Sequence, residues 1–369
     1  MNKMSMLLAV CSVALPIALL AQRSDPLQPA RYPEAWPTHY GDYSGRRYSP
    51  LAQINAANVK TLSLAWTYRA SAQEGDTSGG EYHAGDPYYW GGPQATVSIK
   101  ATPLVANGVL YFAAPDHAYA IDARTGRAIW HYFWRTRGGI HIGNRGVGMY
   151  GNLLFFETPD CYLVSLDAAT GKERWHKEIA DVRQQYFCTP APIVIGRHVI
   201  VGIGGDSLDV QGYLESYEPE SGERQWRWYT TPQKMGEPGS ETWPDAYSMT
   251  HGGGMTWLPP TYDPDLNLLY IPTGNPNPVF APRSRKGDNL FTCALVALNP
   301  DTGKMAWYFQ TSPHDTHDWD STETPRCSST DRLTAGRESS SRRRRATATT
   351  SCSIARTARA SRRFPTSTS

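Results

Sequence analysis

Cysteine is scarce in this sequence, and the net charge is small. The 369 residues include six cysteines, and none forms a C-x-x-C or C-x-x-C-H pattern, so neither a zinc knuckle nor an attached c-type haem is indicated. Only Cys161, Cys188 and Cys293 lie between the two terminal segments, and we therefore expect no disulfide framework. A formal net charge of +2 is too small to indicate nucleic-acid binding. Long helical periodicity is almost absent, which favours an all-β fold.

The last 44 residues, 326–369, differ in composition from the rest of the chain. They contain 11 Arg, no Lys, two acidic residues and 18 Ser or Thr, so they carry +9 while the other 325 residues carry −7. Their large apolar residues are too few to offset the entropy lost on ordering, and we expect a disordered tail. Because an out-of-frame translation of a GC-rich gene gives this composition, we hypothesise a frameshift near codon 326. The alternative is a genuine basic tail that binds an acidic partner or a membrane surface.

The N-terminus has the pattern of a secretory signal. Lys3 precedes an apolar run over residues 6–20, which Pro16 interrupts and which is followed by the small residue Ala21. The run is too short for a comfortable membrane span. We therefore predict a signal peptide at residues 1–21, a secreted protein and no stable membrane span. The alternative is a buried N-terminal helix or a retained anchor.

A ten-residue unit recurs four times in the body of the chain. Each copy combines an acidic residue or Asn, a Thr or Ser, and a Gly with a Trp at a fixed offset, and the copies end at Trp130, Trp175, Trp226 and Trp307. The pattern predicts strand, tight turn and strand, with the glycine at positive φ. Spacings of 45, 51 and 81 residues suit four-stranded propeller blades, one with an insertion. We predict an all-β propeller whose repeated tryptophans pack between blades, because a β-sandwich does not explain the repeated unit.

Two long segments carry a resemblance to a known family. Residues 36–62 resemble the N-terminal signature of the quinoprotein alcohol dehydrogenases, which depend on pyrroloquinoline quinone (PQQ). Residues 257–278 resemble the internal signature of that family, except that Asn277 replaces a small Ser, Thr or Ala. The resemblance covers residues 30–325 and implies an incomplete β-propeller, roughly four to five blades of an eight-bladed ring. In the family several more blades follow, where this sequence has the basic tail.

The resemblance implies a PQQ site built from three residues. Trp257 corresponds to the tryptophan that forms the floor under the quinone ring, and the glycines at 252–254 allow a ligand to approach the backbone closely. Arg145 corresponds to an arginine that pairs with a quinone carboxylate, and Thr189 to a threonine that hydrogen-bonds the cofactor. The alternative roles are a tryptophan that packs between blades and a surface arginine.

The resemblance also implies a metal ion and a catalytic base. Asp318 corresponds to the base that takes the hydroxyl proton of the alcohol, and Asn275 to a metal-ligating amide that suits Ca²⁺. Asp320 lies where members that use lanthanides have an additional carboxylate. The metal-ligating glutamate of the family aligns with Ser207, so we expect a neighbouring acid to serve instead. The predicted metal ligands are Asn275, Asp318, Asp320, Asp206 and Asp209.

Two further departures from the family concern the cofactor site. Gly139-Ile140 replaces a pair of adjacent cysteines, and Lys100 replaces a glutamate.

The implied function is a periplasmic dehydrogenase that oxidises alcohols, or sugars, by hydride transfer to PQQ and passes electrons to a separate cytochrome c or quinone. Without the remaining blades, we expect little or no activity from this chain. The alternative is a non-catalytic propeller scaffold that binds proteins, although a scaffold would need neither the signature at 257–278 nor Asp318.

Overall fold

The computed structural model describes residues 32–43, 45–70, 99–136, 143–205 and 209–322. The predicted signal peptide and the Arg-rich tail lie outside these residues. Within the described part of the chain, no helix is long and apolar enough to cross a membrane. The residues that lie outside the description also include Gly139, Ile140, Asp206 and Ser207.

Four antiparallel sheets of four strands each follow one another along the chain, and in each sheet neighbouring strands are also neighbours in sequence. The first blade comprises β2 (Leu104–Ala106), β3 (Val109–Ala114), β4 (His117–Asp122) and β5 (Ala128–Phe133). The second comprises β7 (Gly148–Tyr150), β8 (Leu153–Glu157), β9 (Tyr162–Asp167) and β10 (Glu173–Glu178). The third comprises β11 (Ile193–Ile195), β12 (His198–Val201), β13 (Tyr213–Tyr217) and β14 (Arg224–Tyr229). The fourth comprises β15 (Thr261–Asp263), β16 (Leu268–Pro272), β17 (Ala294–Leu298) and β18 (Met305–Gln310).

A few short elements complete the described structure. Two strands, β1 (Ile99–Thr102) and β6 (Asn144–Gly146), form a separate parallel pair. One α-helix, α1, spans Ala246–Thr250. The 3₁₀ turns are Val59–Thr61, Val182–Gln184, Ser240–Thr242 and Pro282–Ser284. The arrangement of sequential four-stranded sheets confirms the predicted all-β propeller architecture.

The repeated turn joins the third and fourth strands of each blade. In the first blade, Asp122 Oδ1 accepts hydrogen bonds from the amides of Arg124 and Thr125, at 3.1 and 2.8 Å. Gly126 then adopts φ +71°, a conformation that favours glycine. The same arrangement recurs in the second blade, where Gly171 has φ +69°. The sequence repeat is therefore a turn whose acid satisfies two backbone amides.

The repeated tryptophans of the first three blades dock onto the turn of the following blade. Trp130 Nε1 donates a hydrogen bond to the carbonyl of Ala168 at 2.9 Å, and its ring covers Gly171, where a Cβ would lie 2.7 Å from the indole. A side chain at Gly171 would therefore push the indole away. Equivalent bonds run from Trp66 to Ala123, from Trp175 to Pro219 and from Trp226 to Pro300. The predicted structural role of these tryptophans is confirmed.

Trp307 ends the fourth blade and differs from the other docking tryptophans. Its Nε1 is buried and has no hydrogen-bond partner among the described residues. Its ring still packs against its own blade, with a centroid distance of 5.7 Å to Tyr270. The fourth blade therefore presents a docking tryptophan for which the described chain supplies no acceptor.

The blades pack through apolar side chains that alternate along the strands. In β8, Phe156 packs in the cluster shared with the first blade, which contains Leu104. Its neighbour Phe155 packs in the cluster shared with the third blade, which contains Val199. Successive residues of a strand point to opposite faces, so one strand serves two interfaces. The apolar core therefore lies between the blades.

Cys161 and Cys188 form a disulfide, with their Cα atoms 5.1 Å apart. The expectation that the body has no disulfide is therefore wrong for this pair. Cys161 lies in the turn between β8 and β9, and Cys188 lies in the connection from the second blade to the third. The two residues are 27 positions apart, and their spacing carries no motif, so only the stacking of the blades brings them together. The bridge fixes the backbone immediately before Thr189.

Candidate active site

The three residues predicted to bind the quinone lie next to one another. The Arg145 guanidinium donates a hydrogen bond from Nη1 to Thr189 Oγ1 at 2.5 Å. Its Cζ lies 4.7 Å from the ring centroid of Trp257. A backbone bond from Arg145 N to the Thr189 carbonyl, at 2.9 Å, fixes the two segments against each other. A flat aromatic face, a cation and a hydroxyl therefore form one surface.

The Gly-Asn-Arg-Gly sequence explains how Arg145 is held. Gly143 and Gly146 adopt φ of +143° and +138°, on either side of the arginine. Between them, the buried Asn144 donates from Nδ2 to the Glu157 carbonyl and accepts from the Gly146 amide, each at 2.7 Å. Thr102 of β1 pairs with Gly146, and its carbonyl would lie 3.0 Å from a Cβ at that glycine. The short strand is therefore anchored on both sides of the functional side chain.

The glycines before Trp257 contact protein rather than open space. A Cβ at Gly253 would lie 2.7 Å from the Asn275 carbonyl, and a Cβ at Gly254 would lie 2.7 Å from Thr230 Oγ1. Gly254 N donates to the Asn275 carbonyl at 2.9 Å. The close approach inferred from the sequence therefore occurs between backbone segments, and it carries Trp257 to the segment that contains Asn275.

Asn275, Asp318 and Asp320 converge within hydrogen-bond distance. The Asn275 backbone amide donates to Asp320 Oδ1 at 2.7 Å. One terminal atom of the Asn275 side chain lies 3.1 Å from Asp318 Oδ1 and 2.8 Å from Asp320 Oδ1. With nitrogen in that position, the amide donates to both carboxylates. With oxygen there, three oxygen atoms face one another, an arrangement that suits a hard metal ion.

The pKa values of Asp318 and Asp320 are both raised, which disfavours the ionisation of both carboxyl groups together. Burial, followed by the charges of Asp318 and Asp315, raises the pKa of Asp320 to about 6, against the lowering effect of the Asn275 amide and the Trp257 side chain. Partial burial, and then Asp315, raises the pKa of Asp318. Three acidic groups within one short segment therefore favour a bound cation or a shared proton.

The structure places Asp209 apart from this cluster. Its Oδ2 accepts a hydrogen bond from Tyr247 at 3.3 Å, and it lines a cavity of about 520 Å³ together with Tyr186 and Arg227. None of the described contacts of Asp209 involves Asn275, and Asp206 lies outside the described residues. The replacement for the family glutamate thus stays a prediction.

Glu157 is a buried acid that the sequence did not single out. It ends β8 with no exposed surface, and neither carboxyl oxygen has a hydrogen-bond partner among the described residues. Burial raises its pKa well above the usual range, against a smaller lowering by Arg145. The only sequence signal is a charged residue directly after Leu153-Leu-Phe-Phe156, a run of apolar residues.

The comparison with known proteins is decisive for the family. The sequence model of the PQQ family described as glucose/ethanol/alcohol dehydrogenase, β-propeller domain, matches residues 36–337. The chain belongs to the PQQ-dependent alcohol dehydrogenase family. It is 37% identical over 316 residues to the quinohemoprotein alcohol dehydrogenase of Comamonas testosteroni, across 80% of this chain and 41% of that protein. It is 36% identical over 314 residues to the quinoprotein alcohol dehydrogenase PedH of Pseudomonas putida, across 80% of this chain and 49% of that protein.

Solved structures of the PQQ-dependent family resemble the described fold. The Comamonas testosteroni quinohemoprotein alcohol dehydrogenase superposes with a TM-score of 0.71 at 36% identity, over 83% of this chain and 46% of that chain. A europium-containing methanol dehydrogenase superposes with a TM-score of 0.69 at 30% identity, over 80% of this chain and 52% of that chain. The chain thus spans about half the length of the relatives it matches, or somewhat less.

The residues present fit the groups that the PQQ-dependent family uses. Trp257 offers a flat apolar wall, and Arg145 a cation for a quinone carboxylate. Asn275, Asp318 and Asp320 offer only oxygen and amide donors, which suit Ca²⁺ or a lanthanide better than a soft transition metal. Among the described residues, no group of three or more His, Cys, Asp or Glu side chains is placed to hold a metal ion.

Proposed function

We propose that this chain carries the quinone and metal site of a PQQ-dependent dehydrogenase that oxidises alcohols, with sugars as a second substrate class. The observation that carries the proposal is the convergence of Asn275 on Asp318 and Asp320, at 3.1 and 2.8 Å. The stacking of Arg145 on Trp257 supports it. A scaffold has no need of a converging acid pair next to an aromatic face.

Asp318 is the proposed base. Its side chain is exposed, so an alcohol can reach it, and its raised pKa makes it a better proton acceptor than an ordinary aspartate. PQQ, when bound, supplies the hydride acceptor. Arg145 and Thr189 orient the quinone edge, and Trp257 excludes water from one face. Asn275 and Asp320 would hold the cation, which would offset the negative charge of Asp318 and Asp320.

The proposed metal is Ca²⁺ or a lanthanide. Asp320 adds a second carboxylate to Asp318 at the Asn275 amide, and additional negative charge favours a trivalent ion over a divalent one. The similarity to a europium-containing methanol dehydrogenase supports the same choice. Asp206 and Asp209 stay candidates for a further ligand.

We propose a periplasmic location, directed by the signal peptide at residues 1–21. The Cys161–Cys188 disulfide supports an oxidising compartment, because such bonds are rare in reducing ones. We propose a separate cytochrome c or quinone as the electron acceptor, because PQQ must pass on the electrons of the hydride that it accepts. We also propose that this chain by itself oxidises alcohols slowly or not at all, because its four described blades leave Trp307 without the turn onto which it would dock.

Titration of the purified chain with PQQ tests the proposed site. In the presence of Ca²⁺ or La³⁺, we expect saturable binding measured by equilibrium dialysis and by a change in the quinone absorption. Arg145→Gln removes a charged hydrogen-bond donor, so its affinity should fall at least about tenfold. Arg183→Gln, an exposed arginine outside the site, is the matched control. Absence of any quinone perturbation with the wild-type chain contradicts the proposal and favours a scaffold.

A further inference from the structure

The segment that carries the two site carboxylates is tied together by Asp315. This residue is 3% exposed. Its Oδ1 accepts a hydrogen bond from the His317 amide at 3.0 Å, and its Oδ2 accepts one from the Trp319 amide at 2.9 Å. The Cys293 thiol, which lies directly before β17, donates a third hydrogen bond to Asp315 Oδ2 at 3.4 Å. Asp315 therefore folds the segment around its own carboxylate.

This segment needs such support because its backbone is unfavourable. His314, Asp318 and Asp320 adopt φ of +49°, +81° and +48°, a region that side-chain-bearing residues rarely occupy. The amides of the residues that precede Asp318 and Asp320 are the ones that Asp315 binds. The bonds therefore act directly on the backbone that aims the two carboxylates.

A buried arginine joins this segment to the one that carries Asn275. Arg285 has no exposed surface. Its guanidinium donates at 3.0 Å to the Pro278 and Val279 carbonyls, which lie just after Asn275. It also donates to the Asp315 carbonyl, across 30 positions of sequence. A fourth bond to Asn289 Oδ1, at 3.0 Å, fixes the guanidinium itself.

We propose that Asp315 and Arg285 are positioning residues that set the separation of Asn275 from Asp318 and Asp320. Neither side chain touches a predicted ligand atom in the described contacts. Arg285 bridges the two backbone segments, and Asp315 holds the strained turn on one of them. This inference rests on the proposed function, because the separation matters only if the three residues bind a cation together.

Hydrogen exchange on the metal-free chain tests the clamp directly. In Asp315→Asn, one of the two accepting oxygens becomes an NH₂ group that cannot accept, and the other is a weaker acceptor, so we expect the His317 and Trp319 amides to exchange at least about tenfold faster. Arg285→Lys keeps the charge and loses the fork that reaches two segments, so it should loosen the same amides. Asp301→Asn, at an exposed turn of the fourth blade, is the matched control. Unchanged protection of the β8 and β9 amides reports that each variant is folded.

Binding of Tb³⁺, followed by its luminescence, links the clamp to the site. We expect both variants to bind Tb³⁺ at least about tenfold more weakly than Asp301→Asn. Exchange and affinity within twofold of wild type in both variants would overturn the inference. A wild-type chain that binds no Tb³⁺ contradicts the proposed function instead, while the exchange result still decides whether Asp315 and Arg285 hold the segment.

Discussion

The paired substitutions Trp130→Phe and Trp307→Phe measure what docking onto the following blade contributes to stability. Both indoles are half-buried and pack on a tyrosine of their own blade, at centroid distances of 6.1 Å to Tyr111 and 5.7 Å to Tyr270. Only Trp130 has an acceptor, the Ala168 carbonyl at 2.9 Å. Loss of that bond, together with an acceptor left unpaired, costs about 1–2 kcal/mol. We therefore expect Trp130→Phe to lower the free energy of unfolding by that much more than Trp307→Phe.

Urea unfolding followed by far-ultraviolet circular dichroism measures the difference between the two variants. The tyrosine contacts are alike, so their loss should largely cancel, and the remaining difference reports the docking bond together with the contact of the Trp130 ring on Gly171. Trp226→Phe, whose Nε1 donates to the Pro300 carbonyl at 2.7 Å, should resemble Trp130→Phe. Equal destabilisation by Trp130→Phe and Trp307→Phe would refute the conclusion that docking onto the following blade contributes to stability.

Three further outcomes are expected. Gly171→Ala should destabilise the chain by about 1–3 kcal/mol in the same assay, because its Cβ would meet the Trp130 ring at φ +69°; Gly196→Ala, at φ +56° with open space around it, should cost less. Cys161→Ser with Cys188→Ser should lower the free energy of unfolding by about 2–4 kcal/mol; an unchanged urea midpoint contradicts this. Because the pKa of Asp320 is raised from 3.8 to about 6 in the folded chain, the free energy of unfolding falls as the pH rises between these two values and stays lower above them. Asp320→Asn should therefore stabilise the metal-free chain at pH 7 and not at pH 4, and equal effects at both would contradict it.

Local patterns in the sequence were sufficient to predict the propeller blades. The Asp122 turn predicts its own geometry, because the acid and the glycine act within five residues of each other. The spacing of the tryptophans then gives the number of residues from one blade to the next. The resemblance likewise pointed to Asn275 and Asp318, and the structure brings these two together.

Contacts between distant segments were beyond the reach of these patterns. The Cys161–Cys188 bond and the bridge that Arg285 makes to the Asp315 carbonyl join residues 27 and 30 positions apart, which only the folded chain brings together. Glu157 is a similar case, since nothing in its own strand predicts an acid with no exposed surface. In each case, a residue with an ordinary local context acquires its role from the packing.

The direction of tryptophan docking has a consequence for the order in which the chain assembles. Every docking bond runs from an earlier blade to a later one, across 38 residues for Trp130 and 74 for Trp226. At about 5–20 residues per second of synthesis, each indole emerges about 2–15 s before its acceptor exists. The docking tryptophan of each new blade thus stays without its acceptor until the next blade has been synthesised. A chaperone that shields aromatic edges during this interval would act once per blade.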